Sequence, residues 1–320
     1  MIVCPPKSGA SAAQDAADRN AAGRTRGGLQ AEPPRAPLDV PPQWEQAAAE
    51  IVAEAPHRVL LLGGTDVGKS SFARFLAGRL LAAGHQVGLV DGDVGQKDVG
   101  PPATITLGYP QPGLDEIPPE AIHFVGDTSP TGLFLPILVG LARMVGLAGT
   151  RPVIIDTTGL IAGPGRLLKP WEIEAAAPQL IVAIERADEL SAVLRAFRHL
   201  PTVRLRPSPL ARRRSKAARQ AARRLAFRRY FAAAEALDLP VAALAFQRAP
   251  LGALQPGLLC GVADADGSCA GLGIVEAVDP VTARLLLRTP LAPDRIRALQ
   301  LGRLRIAADG RELGRILPEA

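Results

Sequence analysis

The segment "GGTDVGKSS", residues 63–71, carries the residue types needed to hold a polyphosphate. Gly63, Gly68, Lys69 and Ser70 fit the spacing G-x-x-x-x-G-K-[ST], directly after the apolar run "RVLLL" and directly before the helical pattern "SFARFLAGRLLAAG". Glycines let successive backbone N–H groups turn inward around a phosphate. The helix N-terminus adds its partial positive charge. Lys69 can reach the β- and γ-phosphates, and the Ser70 hydroxyl can ligate Mg²⁺. A nucleoside triphosphate is the expected ligand, cradled by Gly63, Gly64, Thr65, Asp66, Val67, Gly68, Lys69, Ser70 and Ser71. GTPases, ATPases, kinases and ligases all share such a loop, so other groups must name the reaction. No N-K-x-D guanine-reading motif stands at a strand end, which argues against a GTPase.

Three further segments offer acids and hydroxyls. "LVDGDVGQKDVGPP" ends a candidate strand with Asp91 and Asp93; either could take a proton from an attacking hydroxyl or hold Mg²⁺ through water, or the pair could simply form a turn. "VIIDTTG" resembles a Walker B strand, with Asp156 as the acid that assists the metal and Thr157, Thr158 and Gly159 in the loop beyond it. "FVGDTSPTG" follows another strand and presents Asp127, Thr128 and Ser129, with a helix N-cap as the alternative role for Asp127 or Thr131. A phosphoryl-transfer site at one rim of a sheet accommodates all of these groups.

The stretch "RRRSKAARQAARRLAFRRYF", residues 212–231, holds nine cationic side chains and no acidic one. The chain's formal net charge is +6, so without this stretch the remainder would be slightly acidic and the basicity is local. Read as a helix, Arg212, Lys216, Arg219 and Arg223 share one face, where like charges repel unless an anion arrives. That anion can be the transferring phosphoryl group under a mobile lid, or the backbone of a nucleic acid. Tyr230 and Phe231 fit core packing at the helix end better than base stacking.

These residues must be positioned by regular elements. Apolar runs at Arg58–Leu62, Val87–Asp91, Ile122–Val125, Pro152–Asp156, Gln179–Ile184, Thr202–Leu205 and Val241–Ala245 read as strands. Helical patterns at Trp44–Ala55, Ser70–Ala83, Leu133–Leu147, Glu172–Ala176 and Asp188–His199 lie around and between them. Strands that are apolar throughout and separated by helices predict a parallel sheet covered on both faces. The expected fold is therefore α/β, a P-loop NTPase with a doubly wound parallel sheet. After about Pro250 the runs Leu258–Val262, Gly271–Ala277 and Arg284–Leu287, with "AADGREL" further on, read as hairpins of a small C-terminal mainly β domain. The expected divisions are an Ala/Gly/Pro-rich disordered tail over 1–40, a P-loop domain over 41–249 and the β domain over 250–320.

A chain of 320 residues that is 48% hydrophobic can bury a substantial core. Its longest charge-free apolar stretch, Thr128 to Ala142, is broken by Pro130 and Pro136 and is shorter than the roughly 20 residues of a membrane helix. No secretory signal pattern opens the sequence, and Cys4, Cys260 and Cys269 lack metal or disulfide-framework spacing. A reduced, cytoplasmic setting is expected.

Together, "GGTDVGKSS", "DGDVGQKDVGPP", "FVGDTSP", "IIDTTGL" and "RSKAARQAARRLAFRRYF" resemble the motif series of the polynucleotide 5′-hydroxyl kinases, the family of RNA kinases of eukaryotic tRNA splicing and ribosomal RNA processing and their archaeal relatives. The resemblance runs from about Val59 to Phe231. It implies ATP and Mg²⁺ as cofactors, with Lys69 and Ser70 on the phosphates and metal, and a single-stranded polynucleotide with a 5′-hydroxyl end as partner, RNA favoured. It implies Asp93 as the base that orients or deprotonates the 5′-hydroxyl, Gln96 in support of the metal or nucleophile, and Arg214, Arg219 and Arg223 as a lid that clasps the transferring phosphoryl group. Asp127, Thr128 and Thr158 are expected on the substrate side. Leu160 stands where eukaryotic members carry a tryptophan, and the large N-terminal β domain of those members has no counterpart in the first 40 residues. Two other classes compete: a small-metabolite ligase resembling dethiobiotin synthetases, which does not need nine cations on one helix, and a non-catalytic ATP-binding assembly factor that docks RNA through that helix.

Overall fold

The computed structural model describes residues 38–111, 116–247 and 254–316. Five parallel strands form its centre: β1 (Arg58–Gly63), β2 (Gly88–Asp91), β5 (Val153–Asp156), β6 (Leu180–Ile184) and β7 (Thr202–Leu205), in the order β2-β5-β1-β6-β7. Apolar runs become parallel strands here because both faces are covered. Along β1, Leu60 and Leu62 face a cluster with Leu141, Met144, Leu168 and Ile173, while Val59 and Leu61 face one with Trp44, Phe72 and Leu76. The first layer belongs to helices α3 (Phe134–Ala148), α4 (Gly165–Ala176) and α5 (Ser191–Ala196), the second to α1 (Pro42–Glu54) and α2 (Lys69–Ala82). Each fully buried leucine contributes about 2 kcal/mol of transfer free energy, so this sandwich fixes the strand ends firmly.

Helix α1 braces the phosphate-binding loop. Pro42 sits in its first turn, where no amide hydrogen is missed. Trp44 packs edge-on against Phe72, 5.3 Å between ring centroids, and its indole N–H donates to the Arg206 carbonyl at 3.0 Å. Gly68, at φ 96°, is needed both for its left-handed backbone and because a Cβ there would lie 2.9 Å from the Trp44 ring.

Beyond β2 the sheet turns antiparallel through β3 (Thr104–Gly108) and β4 (Pro119–Phe124). It then continues through the C-terminal strands β11 (Cys269–Asp279), β10 (Leu258–Ala263), β13 (Ala298–Ile306) and β14 (Glu312–Arg315), with one register pair, Cys269 opposite Ile122, joining the two parts. β12 (Arg284–Thr289) lies between β11 and β8 (Glu235–Pro240), and β9 (Ala245–Gln247) runs parallel to β13. Among the described residues no helix is long and apolar enough to cross a membrane.

The parallel sheet expected from the sequence thus covers five strands, and Ile122–Val125 corresponds to an antiparallel strand. The segment "TITLG", not read as a strand, forms β3: Thr104 and Thr106 are buried and donate to the carbonyls of Pro101 and Val99, which removes the cost of placing hydroxyls in a core. Val241–Ala243 is a 3-10 turn, with strand beginning only at Ala245. The division expected at 249/250 falls within residues outside the described set, and β8 and β9, on its N-terminal side, pair with C-terminal strands. The described residues from Asp39 onward form one compact unit. The tail expected over 1–40, with Cys4, falls almost wholly outside the described residues.

Candidate active site

The carboxyl ends of β1, β2 and β5 carry the P-loop, Asp91 and Asp156 side by side, the last two directly opposite each other in register. Lys69 is buried and its ammonium donates to the Gly64 carbonyl at 3.0 Å, across the loop it closes. Ser70 Oγ donates to Asp156 Oδ2 at 2.5 Å. Burial pushes the Asp156 carboxyl up to about 7, against the pull of Lys69 and with further upward pressure from Asp91 and Asp93. Its other oxygen, Oδ1, is buried and has no hydrogen-bond donor among the described residues. A hydroxyl and a carboxylate with one unsatisfied oxygen are hard donors of the kind a divalent magnesium ion takes. Among the described residues no group of three or more His, Cys, Asp or Glu could form an all-protein cage.

The two aspartates of "DGD" divide their work. Asp91 is buried and saturated: Oδ1 accepts from the Asp93 amide at 3.1 Å and lies 3.1 Å from the Lys97 ammonium, while Oδ2 accepts from the amides of Asp98 at 2.7 Å and Val99 at 3.0 Å. Burial raises its pKa although Lys97 opposes that. Asp91 therefore shapes the loop. Asp93 uses only Oδ1, accepting from the amides of Gly95 at 2.8 Å and Gln96 at 3.0 Å, and Oδ2 takes no hydrogen bond among the described residues. One oxygen thus holds the carboxylate still against its own loop.

The Arg-rich stretch forms α6 (Lys216–Tyr230), which starts later than the sequence suggests because Ser215 caps it, accepting from the Ala218 amide at 3.1 Å. Arg212 and Arg214 precede the helix, so the common face begins at Lys216. The helix lies against the site. Arg219 Nη1 donates to Asp66 Oδ2 of the P-loop at 2.9 Å, as does the backbone amide of Arg214, also at 2.9 Å. Gln96, expected in support of the metal or nucleophile, donates from Nε2 to the Arg219 carbonyl at 3.3 Å and so ties the Asp93 loop to the helix. At the far end Phe227 and Phe231 are buried against Phe124, Leu259, Leu272 and Ile306, and the Tyr230 hydroxyl accepts from the Leu272 amide at 2.7 Å.

The three hydroxyl and acid groups expected to meet substrate are placed differently. Asp127 is fully buried; Arg315 donates to it from Nε at 2.8 Å and from Nη2 at 2.9 Å, and Arg303 from Nε at 2.7 Å. Burial alone would raise its pKa, but the Arg315 fork and charge outweigh that and hold it below the usual carboxylate value. Asp127 is a structural tie and is closed to substrate. Thr128 is buried and donates to Glu312 Oε1 at 3.2 Å. Thr158 is buried, its carbonyl accepting from the Lys169 ammonium at 2.5 Å.

Lys169 is a residue that sequence patterning missed. It is fully buried on α4, pairs with Glu172 at 2.6 Å and donates to Thr157 Oγ1 at 3.2 Å, so it fixes the loop after β5 from behind. Thr65 of the P-loop donates to the Gly159 carbonyl of that loop at 3.3 Å. A Lys and a Glu three apart on an amphipathic helix read as a solvated pair, and nothing in the spacing marks this one as buried. Glu312 was missed as well, because it belongs to the last strand of the chain.

The parallel strands, the loop at the β1 carboxyl end and the acid opposite Ser70 are those of a P-loop protein, with the arginine helix bound to Asp66 of the loop. Residues 63–233, more than half of the chain, match the family model "mRNA cleavage and polyadenylation factor CLP1 P-loop". The chain belongs to that family. It is 30% identical to a polyribonucleotide 5′-hydroxyl-kinase of Pyrococcus horikoshii over 85% of this chain and 93% of that protein, and 30% identical to one of Methanocaldococcus jannaschii over 82% and 90%. It is 29% identical to the polyribonucleotide 5′-hydroxyl-kinase Clp1 of Xenopus tropicalis over 58% of this chain and 46% of that one. Its fold matches a chain in the structure of the wild-type Clp1p–Pcf11p complex with a TM-score of 0.66 at 14% identity, covering 81% of this chain and 77% of that one.

Proposed function

We propose that this protein is an ATP-dependent polynucleotide 5′-hydroxyl kinase that acts on single-stranded RNA ends in RNA processing. The observation that carries this reading is the position of Arg219: its side chain is bonded to the P-loop and its carbonyl to the loop of Asp93. One residue of the lid thus links the nucleotide cradle to the base. The 5′-hydroxyl oxygen attacks the γ-phosphorus of ATP, the bond to the β–γ bridging oxygen breaks, ADP leaves, and the hydroxyl proton passes to Asp93 Oδ2. Backbone amides of Gly63–Ser71 and the Lys69 ammonium hold the phosphates. Ser70 and Asp156 would hold Mg²⁺, which neutralises charge on the phosphate oxygens when bound. Arg219 and Arg223 offer guanidinium donors to the transferring group.

The test is transfer of label from the γ-position of ATP to an oligoribonucleotide with a 5′-hydroxyl, beside the same strand already 5′-phosphorylated and a DNA strand of equal sequence. Label on the 5′-hydroxyl RNA only, or more on RNA than on DNA, is expected. ATP binding without transfer to any strand would favour an RNA-docking assembly factor instead.

A further inference from the structure

The last hairpin of the chain reaches into this site. β13 and β14 are joined by a turn in which Gly310, at φ 82°, lies so close to α6 that a Cβ there would fall 2.4 Å from the Arg224 carbonyl and 3.0 Å from the Arg228 amide. Asp309, next to it, accepts from Arg224 Nη2 at 2.5 Å. Two residues past the turn, Glu312 Oε1 accepts from Arg223 Nε at 2.5 Å and from Thr128 Oγ1 at 3.2 Å. The Arg223 and Glu312 side chains are only 14% and 15% exposed, so this pair is shielded from water far more than the outer arginines of the same helix.

The atoms used matter. A guanidinium has five donors in a rigid plane, and Glu312 takes the Nε edge. Among the described residues no hydrogen bond engages Nη1 or Nη2 of Arg223. With Nε taken, those two still form an edge that can grip two phosphate oxygens at once. A carboxylate on the Nε edge therefore orients the fork and leaves its gripping end free, and the shared contact with Thr128 fixes Glu312 to the loop after β4. We infer that Glu312 is a positioning residue for phosphoryl transfer, aiming Arg223 at the transferring phosphoryl group, so that the C-terminal hairpin is a working part of the kinase site. This rests on the kinase reading above.

The experiment is a double-mutant cycle on the full chain with Glu312→Gln and Arg223→Lys, read first as kcat and KM for ATP on a 5′-hydroxyl oligoribonucleotide. Misaiming a charged group costs about ten- to a hundredfold in rate, so Glu312→Gln is expected to lower kcat about tenfold or more and to raise KM for ATP as the grip on its γ-phosphate weakens. In the Arg223→Lys background, where no Nε edge exists, Glu312→Gln should have no further effect. A merely structural Glu312 would lower activity equally in both backgrounds, or lower the active fraction without changing kcat per active site, and either result overturns the inference. The same cycle read on the ratio of ATP to ADP affinity needs no transfer. If the wild type fails to phosphorylate RNA, the kinase reading falls, while loss of ATP preference in Glu312→Gln that disappears in Arg223→Lys still supports the aiming role; an unchanged ratio sinks it.

Discussion

Asp93 and Asp127 show what a residue's neighbours in sequence do and do not disclose. Asp93 is fixed by amides two and three positions on, inside one motif, yet the residues alone left Asp91 and Asp93 open as base, metal ligand or turn pair, and only the family resemblance singled out Asp93. Asp127 was not legible: it follows a strand and precedes hydroxyls just as a substrate residue would, but its partners Arg303 and Arg315 stand 176 and 188 positions away. Its lowered pKa gives a pH signature. The folded value lies below the unfolded 3.8, so the contribution to stability is fully present above about pH 5 and is lost as pH falls through 3.8 toward the folded value. Asp127→Asn should therefore cost about 1–3 kcal/mol in urea unfolding at pH 7, with the gap to wild type narrowing below pH 4. A gap that is constant from pH 7 to pH 3 would mean that ionisation of Asp127 is irrelevant.

At the scale of elements, the strand ends and the P-loop follow from local patterning, while the lid required tertiary information. Helical spacing and the absence of acids placed α6 correctly as a helix, but the counter-charges come from three distant places: Asp66 from the P-loop, Glu312 and Asp309 from the β13–β14 hairpin, and Glu116 from the segment before β4. The cations sort accordingly. Arg212, Arg213 and Lys216 are exposed at the start of the lid and have no acidic partner among the described residues. We propose that they meet the backbone of the acceptor strand. Single-stranded RNA affinity should fall linearly in log-log form with salt, and neutralising any one of these three should reduce the slope by about 0.7. Affinity independent of salt, or a slope untouched by all three changes, would remove them from the strand's path. β3 escaped notice for a different reason: threonines next to a Pro-Pro pair look like a loop until their hydroxyls are seen to be satisfied locally.

At the scale of the whole molecule, strands on the two sides of residue 250 pair with one another, β8 with β12 and β9 with β13. β11 continues the sheet from β4, and the base of the lid is sealed by Phe227 between the two parts. Separate hydrophobic patterns in sequence cannot reveal that they share a hydrogen-bonded edge. Unfolding should then be a single transition, with fluorescence of Trp44 beside the P-loop, read in a Trp171→Phe background because Trp171 is exposed on α4, coinciding with far-ultraviolet dichroism of the whole sheet. Two separated transitions would mean that the C-terminal strands fold independently and could not hold the lid rigidly. The central claim is that the P-loop, Asp93 and the lid act on one phosphoryl group. It is tested most directly by single-turnover transfer from enzyme-bound ATP to a 5′-hydroxyl oligoribonucleotide, with Asp93→Asn alongside. The expected result is stoichiometric transfer by the wild type and a rate lower by about 10²–10⁴ in the variant, with ATP affinity retained. Equal rates in the two proteins, or bound ATP that is never transferred by the wild type, would contradict it.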